Sequence, residues 1–289
     1  MIQDIVKKQR EYFNKGTTLN YDFRLKSLKK LKNSIKKHEN DIKNALFQDL
    51  GKSSTESYMS EIGMVLTELS YAIKHLKGWM KSRKVRTPLA QFHSKSFVVS
   101  EPLGVVLIMS PWNYPFMLAI DPLIGAISAG NCAVMKPASY AKNTSNIIKQ
   151  ILSECFEEEY ISVVLGGREQ NAELLEQRFD YIFFTGSVNV GKLVAEKASK
   201  NLTPVTLELG GKSPCIIDHT ANLKVTAKRL AFGKFLNLGQ TCVAPDYLLI
   251  EKSVKDEFLK LLKMEKNHLK TIFMDTSLMK NILTEYVNL

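Results

Sequence analysis

The sequence predicts an α/β protein in which a five-stranded parallel sheet follows a layer of N-terminal helices. Up to about residue 84, apolar residues recur at intervals of three and four, which is the spacing of one buried helix face. Beyond residue 104, short apolar runs alternate with helical patterns, as expected for strands that helices cover on both sides. Together the two patterns favour a sheet that binds ligands at the carboxyl ends of its strands.

The individual elements are short and regularly spaced. The expected strands cover residues 104–109, 131–136, 161–166, 181–186 and 204–209. The expected helices between them cover about 116–129, 144–156, 169–177 and 189–199. In the N-terminal part, the helical pattern continues through Glu61–Trp79, and Pro88 interrupts it because proline lacks a backbone donor.

The net charge of +11 is concentrated near the N-terminus. Residues 1–86 carry 19 Lys and Arg against 9 Asp and Glu, whereas the rest of the chain nearly balances at 21 against 20. The lysines of this region are spaced between Leu28, Leu31 and Ile35, as on the solvated face of an amphipathic helix. Since the aromatic–basic interleaving of an RNA-binding module is missing, we expect no nucleic-acid partner.

The composition is typical of a soluble globular protein, with 45% apolar and 24% charged residues. No apolar stretch reaches the roughly 18 residues of a membrane span, and the N-terminus has no signal-peptide core, so we expect a cytoplasmic protein. The four cysteines lack C-x-x-C spacing and paired histidines, which predicts neither a metal site nor a disulfide framework. Cys132 and Cys215 lie in apolar strand-like runs and are interpreted as buried small hydrophobes.

Glu208 and Cys242 are the pair of residues that most strongly suggests chemistry. They lie 34 positions apart, and each is surrounded by glycines, in E-L-G-G and N-L-G-Q-T-C. A cysteine needs activation to be a good nucleophile, and a carboxylate in an apolar pocket can act as a general base. Glycines allow backbone N–H groups and a ligand to approach closely. The pair therefore indicates covalent catalysis through a thioester.

Two strand ends have the residues of a nucleotide site, although neither is specific by itself. Gly186 and Ser187 follow a strand and open a helix that also contains Gly191, so free N–H groups could meet a phosphate there. A plain strand-to-helix turn would give the same pattern. Lys136 ends another strand, where it could bond ribose hydroxyls or be a snorkelling surface lysine.

A third strand ends in a rigid bend around Asn113. Pro111 and Pro115 bracket the bend, so the asparagine presents its amide from a fixed position. A carboxamide donor directed at a developing oxyanion can be worth about 3 kcal/mol. Asparagines without function are also common in turns. The bend therefore indicates a functional site only in combination with the other motifs.

Taken together, these segments resemble the NAD(P)-dependent aldehyde dehydrogenase superfamily. Five motifs occur in the family's order and spacing: P-W-N-Y-P-F, M-K-P, F-T-G-S-x-x-V-G, L-E-L-G-G-K-S-P and F-x-N-x-G-Q-T-C-V-A-P-D. The short N-terminal region resembles the class 3-like branch, which handles fatty, aromatic and other apolar aldehydes. The resemblance covers about residues 1–265 and implies a Rossmann-type sheet with N-terminal helices.

The resemblance assigns the catalytic roles. Cys242 resembles the nucleophile that attacks the aldehyde to give a thiohemiacetal. The side-chain amide of Asn113 and the backbone N–H of Cys242 would hold the oxyanion. Hydride transfer to the nicotinamide would leave a thioester, and Glu208 would activate the water that hydrolyses it. Tyr114 would face the substrate tunnel.

The resemblance also implies NAD or NADP as cofactor. Lys136 is similar to the ligand of the adenosine ribose, while Gly186, Ser187 and Gly191 would line the dinucleotide site. The family usually has K-P-S-E at this point, whereas this chain has K-P-A-S, with Ser139 in place of the glutamate. The change removes a ribose acceptor and a charge that would repel a 2′-phosphate.

The domain boundaries follow the same comparison. Residues 1–209 would form the N-terminal helices and the dinucleotide-binding domain, with part of an oligomerisation hairpin near 94–103. Residues 210–265 would begin the catalytic domain. Family members continue well beyond the cysteine motif, whereas this chain ends 47 residues after Cys242, which implies a C-terminally truncated member with an incomplete α/β catalytic domain.

The tail, residues 266–289, is atypical for the family. If the codons from Lys266 are back-translated with A/T-rich choices and read two nucleotides later, the run resembles the family's next segment, Y-G-x-I-I-N-x-x-H-F. We therefore hypothesise a frameshift near these codons. Sequencing of the locus tests this hypothesis, and the lack of an intact downstream reading frame would contradict it.

Three functions remain open from the sequence. The leading expectation is oxidation of an apolar fatty, aromatic or terpenoid aldehyde to its acid, with a small-molecule aldehyde as partner and no membrane span. The intact family forms homodimers, which this shorter chain is not expected to preserve. The alternatives are an inactive remnant that at most binds dinucleotide, and a weak thiol esterase that keeps Cys242, Asn113 and Glu208 without the hydride step.

Ser139 yields a test of cofactor choice. We expect the protein to accept NADP, because no carboxylate at this position repels the 2′-phosphate. The Ser139→Glu variant should shift selectivity towards NAD, measured as the ratio of the two dissociation constants by isothermal titration. Equal selectivity of the two proteins would count against the interpretation.

Overall fold

The structure is a computed structural model that describes residues 2–269. Within this range the helices are α1 (Ile2–Asn14), α2 (Tyr21–Lys37), α3 (Glu39–Leu50), α4 (Ser54–Ser57), α5 (Gly63–Trp79), α6 (Met117–Ala129), α7 (Lys142–Cys155), α8 (Arg168–Leu175), α9 (Val188–Ser199), α10 (Leu223–Phe235) and α11 (Lys255–Leu269). The strands are β1 (Arg83–Val85), β2 (Ser96–Val98), β3 (Val105–Met109), β4 (Cys132–Lys136), β5 (Ile161–Val163), β6 (Tyr181–Gly186), β7 (Val205–Leu209), β8 (Ser213–Ile217) and β9 (Pro245–Ile250).

Five strands form one parallel sheet in the order β5-β4-β3-β6-β7, which confirms the predicted fold class. Val105 pairs with Cys132 on one side of β3, and Val106 pairs with Tyr181 on the other. Every residue of β3 and β4 is buried, because helices cover both faces of the sheet. The strand order reverses between β3 and β6, so the point where such sheets bind ligands lies at their carboxyl ends.

One strand is shorter than the sequence predicts. We expected a strand over 161–166, but β5 ends at Val163. The backbone of Val164 still donates to the carbonyl of Met135, and the chain then turns at Gly166, whose φ of 135° is open chiefly to glycine. The apolar run is thus continuous in sequence while the strand is not.

The N-terminal helices form a layer against one side of the sheet. Leu28, Leu31 and Ile35 of α2 are fully buried, whereas lysines such as Lys29 and Lys36 on the same helix are exposed. The basic surplus of this region is therefore a solvated helix face, as predicted. Helix α2 packs against α5, α6 and α7, and so joins the helical layer to the sheet.

The segment predicted as one helix over Glu61–Trp79 starts differently. A π-helical turn covers Tyr58–Ile62, and α5 follows it. The backbone N–H of Gly63 reaches back to the carbonyl of Tyr58, and a Cβ on Gly63 would lie 2.8 Å from that oxygen. The wider turn places Ser60, Glu61 and Ile62 together on the buried side.

A smaller unit follows the central sheet. Strands β8 and β9 pair in parallel, and α10 packs against α11 beside them. Its core contains Ile217, Ala227, Leu230 and Phe258. Cys215 of β8 packs against this core but is only partly buried, which corrects its interpretation as a fully buried hydrophobe, because a two-stranded sheet covers less than the central one. Cys132, in the central sheet, is buried as predicted.

The remaining predicted segments are placed as follows. Residues 94–103 contribute β2, which pairs antiparallel with β1, and the exposed Phe97 and Val98 lie on it; its role in oligomerisation stays a prediction. Helix α11 takes in the first residues of the tail 266–289, and the tail beyond Leu269 lies outside the described residues. Among residues 2–269, no helix combines the length and apolar character needed to cross a bilayer.

His38, between α2 and α3, links the helical layer to α7 and makes stability depend on pH. Its ring nitrogens lie 2.9 Å from Asp41 Oδ2 and 3.0 Å from Glu154 Oε2, and these two hydrogen bonds raise the pKa of His38. Lys37 also reaches Glu154, at 3.2 Å. Because the folded pKa is raised, this stabilisation is fully present below the unfolded value of about 6.5 and is lost as pH rises through the folded pKa.

We therefore expect the free energy of unfolding in urea to decrease as pH rises above about 6.5, and to decrease less in the His38→Gln variant. The exposed His93 provides the matched control, since His93→Gln should keep the wild-type slope. His219, whose pKa is also raised, is present in all three proteins. Parallel curves for wild type and His38→Gln would contradict the assignment.

Candidate active site

A cavity of about 940 Å³ lies at the carboxyl ends of the central strands. Since parallel strands end at one edge of the sheet, segments far apart in sequence reach the same space. The wall includes residues 109–113, 136–140, 185–187, 208–211 and 240–242. Seven of the residues proposed from the sequence are among those that line it: Asn113, Lys136, Ser139, Gly186, Ser187, Glu208 and Cys242.

Parallel pairing of β8 with β9 explains how Glu208 and Cys242 come together. Ser213 pairs with Pro245, so the two strands begin at the same edge of their sheet. Glu208 and Cys242 each precede one of these strands by a few residues, and their loops therefore meet. A Cβ on Gly211 would lie only 2.3 Å from the carbonyl oxygen of Cys242, which shows how closely the backbones approach.

Cys242 is a free, exposed thiol on this wall. The residues before it form a tight turn, Leu236–Gly239, in which Asn237 and Leu238 have positive φ values of 51° and 55°. Asn237 and Leu238 are themselves buried. The turn is thus anchored from inside while the cysteine that follows it faces solvent.

Asn113 lies opposite this turn and is bonded to it. Its Nδ2 donates to the backbone carbonyl of Gln240 at 2.8 Å. A carboxamide nitrogen carries two N–H donors, so one remains for a ligand in the cavity. The bend around Asn113 is therefore fixed relative to Cys242 by a direct hydrogen bond as well as by its prolines.

Tyr114 lies against Thr241, next to Cys242, and its position on a substrate tunnel stays a prediction. It is buried and is not among the residues that line the cavity. Its hydroxyl lies 2.6 Å from Oγ1 of Thr241, and burial raises the pKa of this phenol. The side chain therefore joins the Asn113 bend to the residue before Cys242, whereas Trp112, Leu118 and Pro122 form the nearby apolar wall.

Lys136 is not a snorkelling surface residue. Only 3% of it is exposed, and Nζ donates to the backbone carbonyl of Pro137 at 2.9 Å. Burial lowers the pKa of this amine to about 8. With one of three N–H donors used within the protein, the group can donate to hydroxyls of a ligand.

Of the three predicted residues in the turn after β6 and in α9, Gly186 and Ser187 line the cavity and Gly191 does not. Ser187 caps α9 by accepting a hydrogen bond from the backbone of Val190, and both residues line the cavity. Gly191 does not line it. A Cβ on Gly191 would lie 2.8 Å from the side chain of Leu209, so this glycine lets α9 pack against β7. Gly186 meets the cavity, and its backbone approaches the ring of Phe184.

Asp121 on α6 also lines the cavity and was not among the residues predicted from the sequence. Its Oδ1 is buried without a hydrogen-bond partner in the described part of the chain. Burial, with a smaller contribution from Glu68, raises the pKa of Asp121 to about 7. The available signal was a carboxylate inside an otherwise apolar helix, M-L-A-I-D-P-L-I-G-A-I.

Four further buried polar residues were missed: Lys52, Glu56, Glu61 and Asn237. Glu61 is in phase with the buried stripe Val65 and Leu69 of α5, so a charge at a core position was the signal that could have revealed it. Among residues 2–269, no cluster of His, Cys, Asp and Glu is able to hold a metal ion.

The contact between Gly211 and Cys242 gives a stability test with a matched control. We expect Gly211→Ala to destabilise the protein by about 1–3 kcal/mol, because the new methyl group meets a backbone oxygen that cannot turn away. A Cβ on the neighbouring Gly210 meets nothing within 4 Å, so Gly210→Ala should stay close to wild type. Thermal unfolding measures both, and equal stabilities of the two variants would show that the loops are not in contact.

Comparison with known proteins shows which family this chain is similar to. The sequence profile of the Aldehyde dehydrogenase family matches residues 1–277, which extends past residue 265, where the sequence reading placed the limit of the resemblance. The 4,4'-diaponeurosporen-aldehyde dehydrogenase of Staphylococcus aureus is 52% identical over 251 residues, or 87% of this chain and 55% of that protein. The dimeric NADP-preferring aldehyde dehydrogenase of Canis lupus familiaris is 43% identical over 263 residues, or 91% of this chain and 58% of that protein.

A solved structure agrees with these relatives. The substrate-bound state of Staphylococcus aureus AldH superposes with a TM-score of 0.91 at 48% identity, covering 94% of this chain and 58% of that one. The chain thus spans about half the length of the curated relatives it matches. By sequence and by fold, the chain belongs to the aldehyde dehydrogenase family.

Proposed function

We propose that the protein is an aldehyde dehydrogenase that oxidises an apolar aldehyde to its carboxylic acid with NAD or NADP. One observation carries the proposal: a single cavity is lined by a free cysteine, a carboxylate and a fixed carboxamide, at the switch point of a Rossmann-type sheet. These are the groups that covalent aldehyde oxidation needs.

Cys242 is the proposed nucleophile: its thiol gives up its proton to solvent water, and the sulfur forms a bond to the aldehyde carbon. The electron pair of the carbonyl moves to its oxygen, which the free N–H of Asn113 and the backbone N–H of Cys242 stabilise. A bound NAD(P) would supply the acceptor for the hydride of this carbon, and the electron pair of the oxyanion would re-form the C=O bond. Cys242 then holds the acyl group as a thioester, and Glu208 takes a proton from the water that releases the acid.

The cavity fits a dinucleotide in size and in chemistry. Its volume of about 940 Å³ is large for a ligand pocket, and the first turn of α9 opens onto it. Lys136 has free donors for the adenosine ribose. The cavity wall contains Arg168 as well as Ser139, and a guanidinium in the cavity supports acceptance of the 2′-phosphate of NADP. The curated dog relative is named as NADP-preferring.

The substrate class rests on apolar residues of the cavity wall. Trp112, Leu118 and Pro122 favour an apolar aldehyde. The Staphylococcus aureus relative is named for a terpenoid aldehyde, 4,4'-diaponeurosporen-aldehyde, which agrees with this class. A reducing compartment such as the cytoplasm would keep Cys242 as the free thiol that the reaction requires.

A second candidate is cofactor-independent ester hydrolysis. Cys242, Asn113 and Glu208 all line the cavity, and they suffice to form and hydrolyse a thioester without any hydride step. This activity should accompany the first, since the two share one acyl-enzyme. Turnover of a p-nitrophenyl ester without cofactor, abolished by Cys242→Ala, identifies it.

Glu208→Gln provides the sharpest test of the full mechanism. We expect the first turnover to remain, giving a burst of about one reduced cofactor per subunit at 340 nm with a long-chain aldehyde. Steady turnover should fall by about 100-fold or more, because deacylation loses its general base. Cys242→Ala should abolish the burst itself. A burst in Cys242→Ala, or unchanged steady turnover in Glu208→Gln, would overturn the assigned roles.

A further inference from the structure

A buried group of polar side chains lies beneath the two loops that carry Asn113 and Cys242. Lys52 and Glu61 are fully buried and form an ion pair. Lys52 Nζ also donates to the backbone carbonyl of Asn113 at 3.1 Å and lies 4.3 Å from the centre of the Tyr114 ring. The bend around Asn113 is therefore held from below by the N-terminal helical layer.

Glu61 extends the contact to the helix after the bend. Its second oxygen accepts hydrogen bonds from the backbone N–H groups of Phe116, at 2.8 Å, and Met117, at 3.1 Å. A carboxylate at the start of a helix satisfies free donors and complements the helix dipole. The bend is thus fixed at its middle by Lys52 and at its end by Glu61.

Glu56 makes the equivalent contact to the other loop. The residue is buried, and its Oε1 accepts the backbone N–H of Asn237 at 2.7 Å. Asn237 in turn donates from Nδ2 to the carbonyl of Asn113 at 2.7 Å. The carbonyl of Asn113 therefore receives Lys52 from one side and Asn237 from the other, and the two loops share one acceptor.

The conformation of Asn237 explains why this anchor matters. Its φ of 51° lies in the left-handed region, which asparagine tolerates better than most residues and which costs energy unless the surroundings hold it. Leu238, with a φ of 55°, is less favourable still. The hydrogen bond from Asn237 to Glu56 fixes the residue where this strained turn begins, five positions before Cys242.

We propose that Glu56 is a positioning residue for the active site, acting through Asn237 to hold the turn 237–242 and the carbonyl of Asn113 in register. It does not line the cavity, and so it reaches the chemistry only through these partners. The inference rests on the proposed function for its catalytic consequence, whereas its structural consequence is independent of any activity.

Amide hydrogen exchange of the whole protein, followed by mass spectrometry, tests the structural consequence. In Glu56→Ala we expect peptides covering 236–242 to exchange at least about tenfold faster, because a buried hydrogen bond to a charged acceptor is lost. Glu56→Gln keeps an acceptor oxygen and should restore slow exchange. Peptides covering 105–109, in the central sheet, should not change in either variant.

Three results would overturn the proposal. Exchange of 236–242 in Glu56→Ala could equal wild type, Glu56→Gln could exchange as fast as Glu56→Ala, or the 105–109 peptides could loosen equally. Glu39→Ala is the control, since it removes a glutamate that pairs with Lys43 within α3 and that does not line the cavity. If Glu56→Ala fails to fold, the same exchange measurement on Glu56→Met decides, because methionine fills a similar volume and removes the oxygen that accepts the backbone N–H of Asn237.

Ester hydrolysis tests the catalytic consequence. We expect kcat for a p-nitrophenyl ester to fall about tenfold in Glu56→Ala with KM within about twofold, because the cavity wall is intact while Cys242 and Asn113 lose register. Glu56→Gln should recover kcat, which separates positioning from mere support of the fold. Absence of turnover in the wild type would refute the esterase candidate alone, since hydrogen exchange still judges the role of Glu56.

Discussion

Parallel strand pairing is the constraint on which the rest of the structure depends. Because all five central strands run in one direction, their carboxyl ends lie at one edge, and β8 with β9, a separate sheet that follows β7 in sequence, is parallel too. The turn after each strand must leave from that edge, so Asn113, Lys136, Gly186 and Glu208 reach one cavity without being close in sequence. Each strand end can then contribute a different chemical group, while the buried strands keep those groups at fixed separations.

The second constraint is electrostatic and lies below the cavity. A buried ion pair such as Lys52 with Glu61 costs desolvation energy that its own attraction repays only when further hydrogen bonds complete it. Here the completing bonds go to the backbone of the Asn113 bend and of α6. The two charges are therefore satisfied only if that bend takes one conformation. The buried ion pair thus helps to fix the conformation of the bend around Asn113.

The sequence predicts the sheet, its strands and the residues that meet at the cavity, because strand periodicity and glycine-rich turns are local signals. It does not predict the π-helical turn at Tyr58–Ile62 or the burial of Glu56, because a charged residue on a short helix has the same local pattern whether it faces solvent or a distant loop. Tyr114 and Gly191, which were expected at the substrate tunnel and at the dinucleotide site, are not among the residues that line this cavity, since neighbours in a motif need not share a surface.

The turn before Cys242 shows how these constraints combine. Two consecutive non-glycine residues with positive φ cost energy, and such a turn persists only when its surroundings determine it from several sides. Glu56 binds its start, Asn113 and Tyr114 bind Gln240 and Thr241 in its middle, and Gly211 contacts the carbonyl of Cys242 at its end. Since these contacts come from elements far apart in sequence, the exposed Cys242 lies on a loop that is fixed at several points. The site is thereby ordered before any ligand enters, so binding energy need not be used to assemble it.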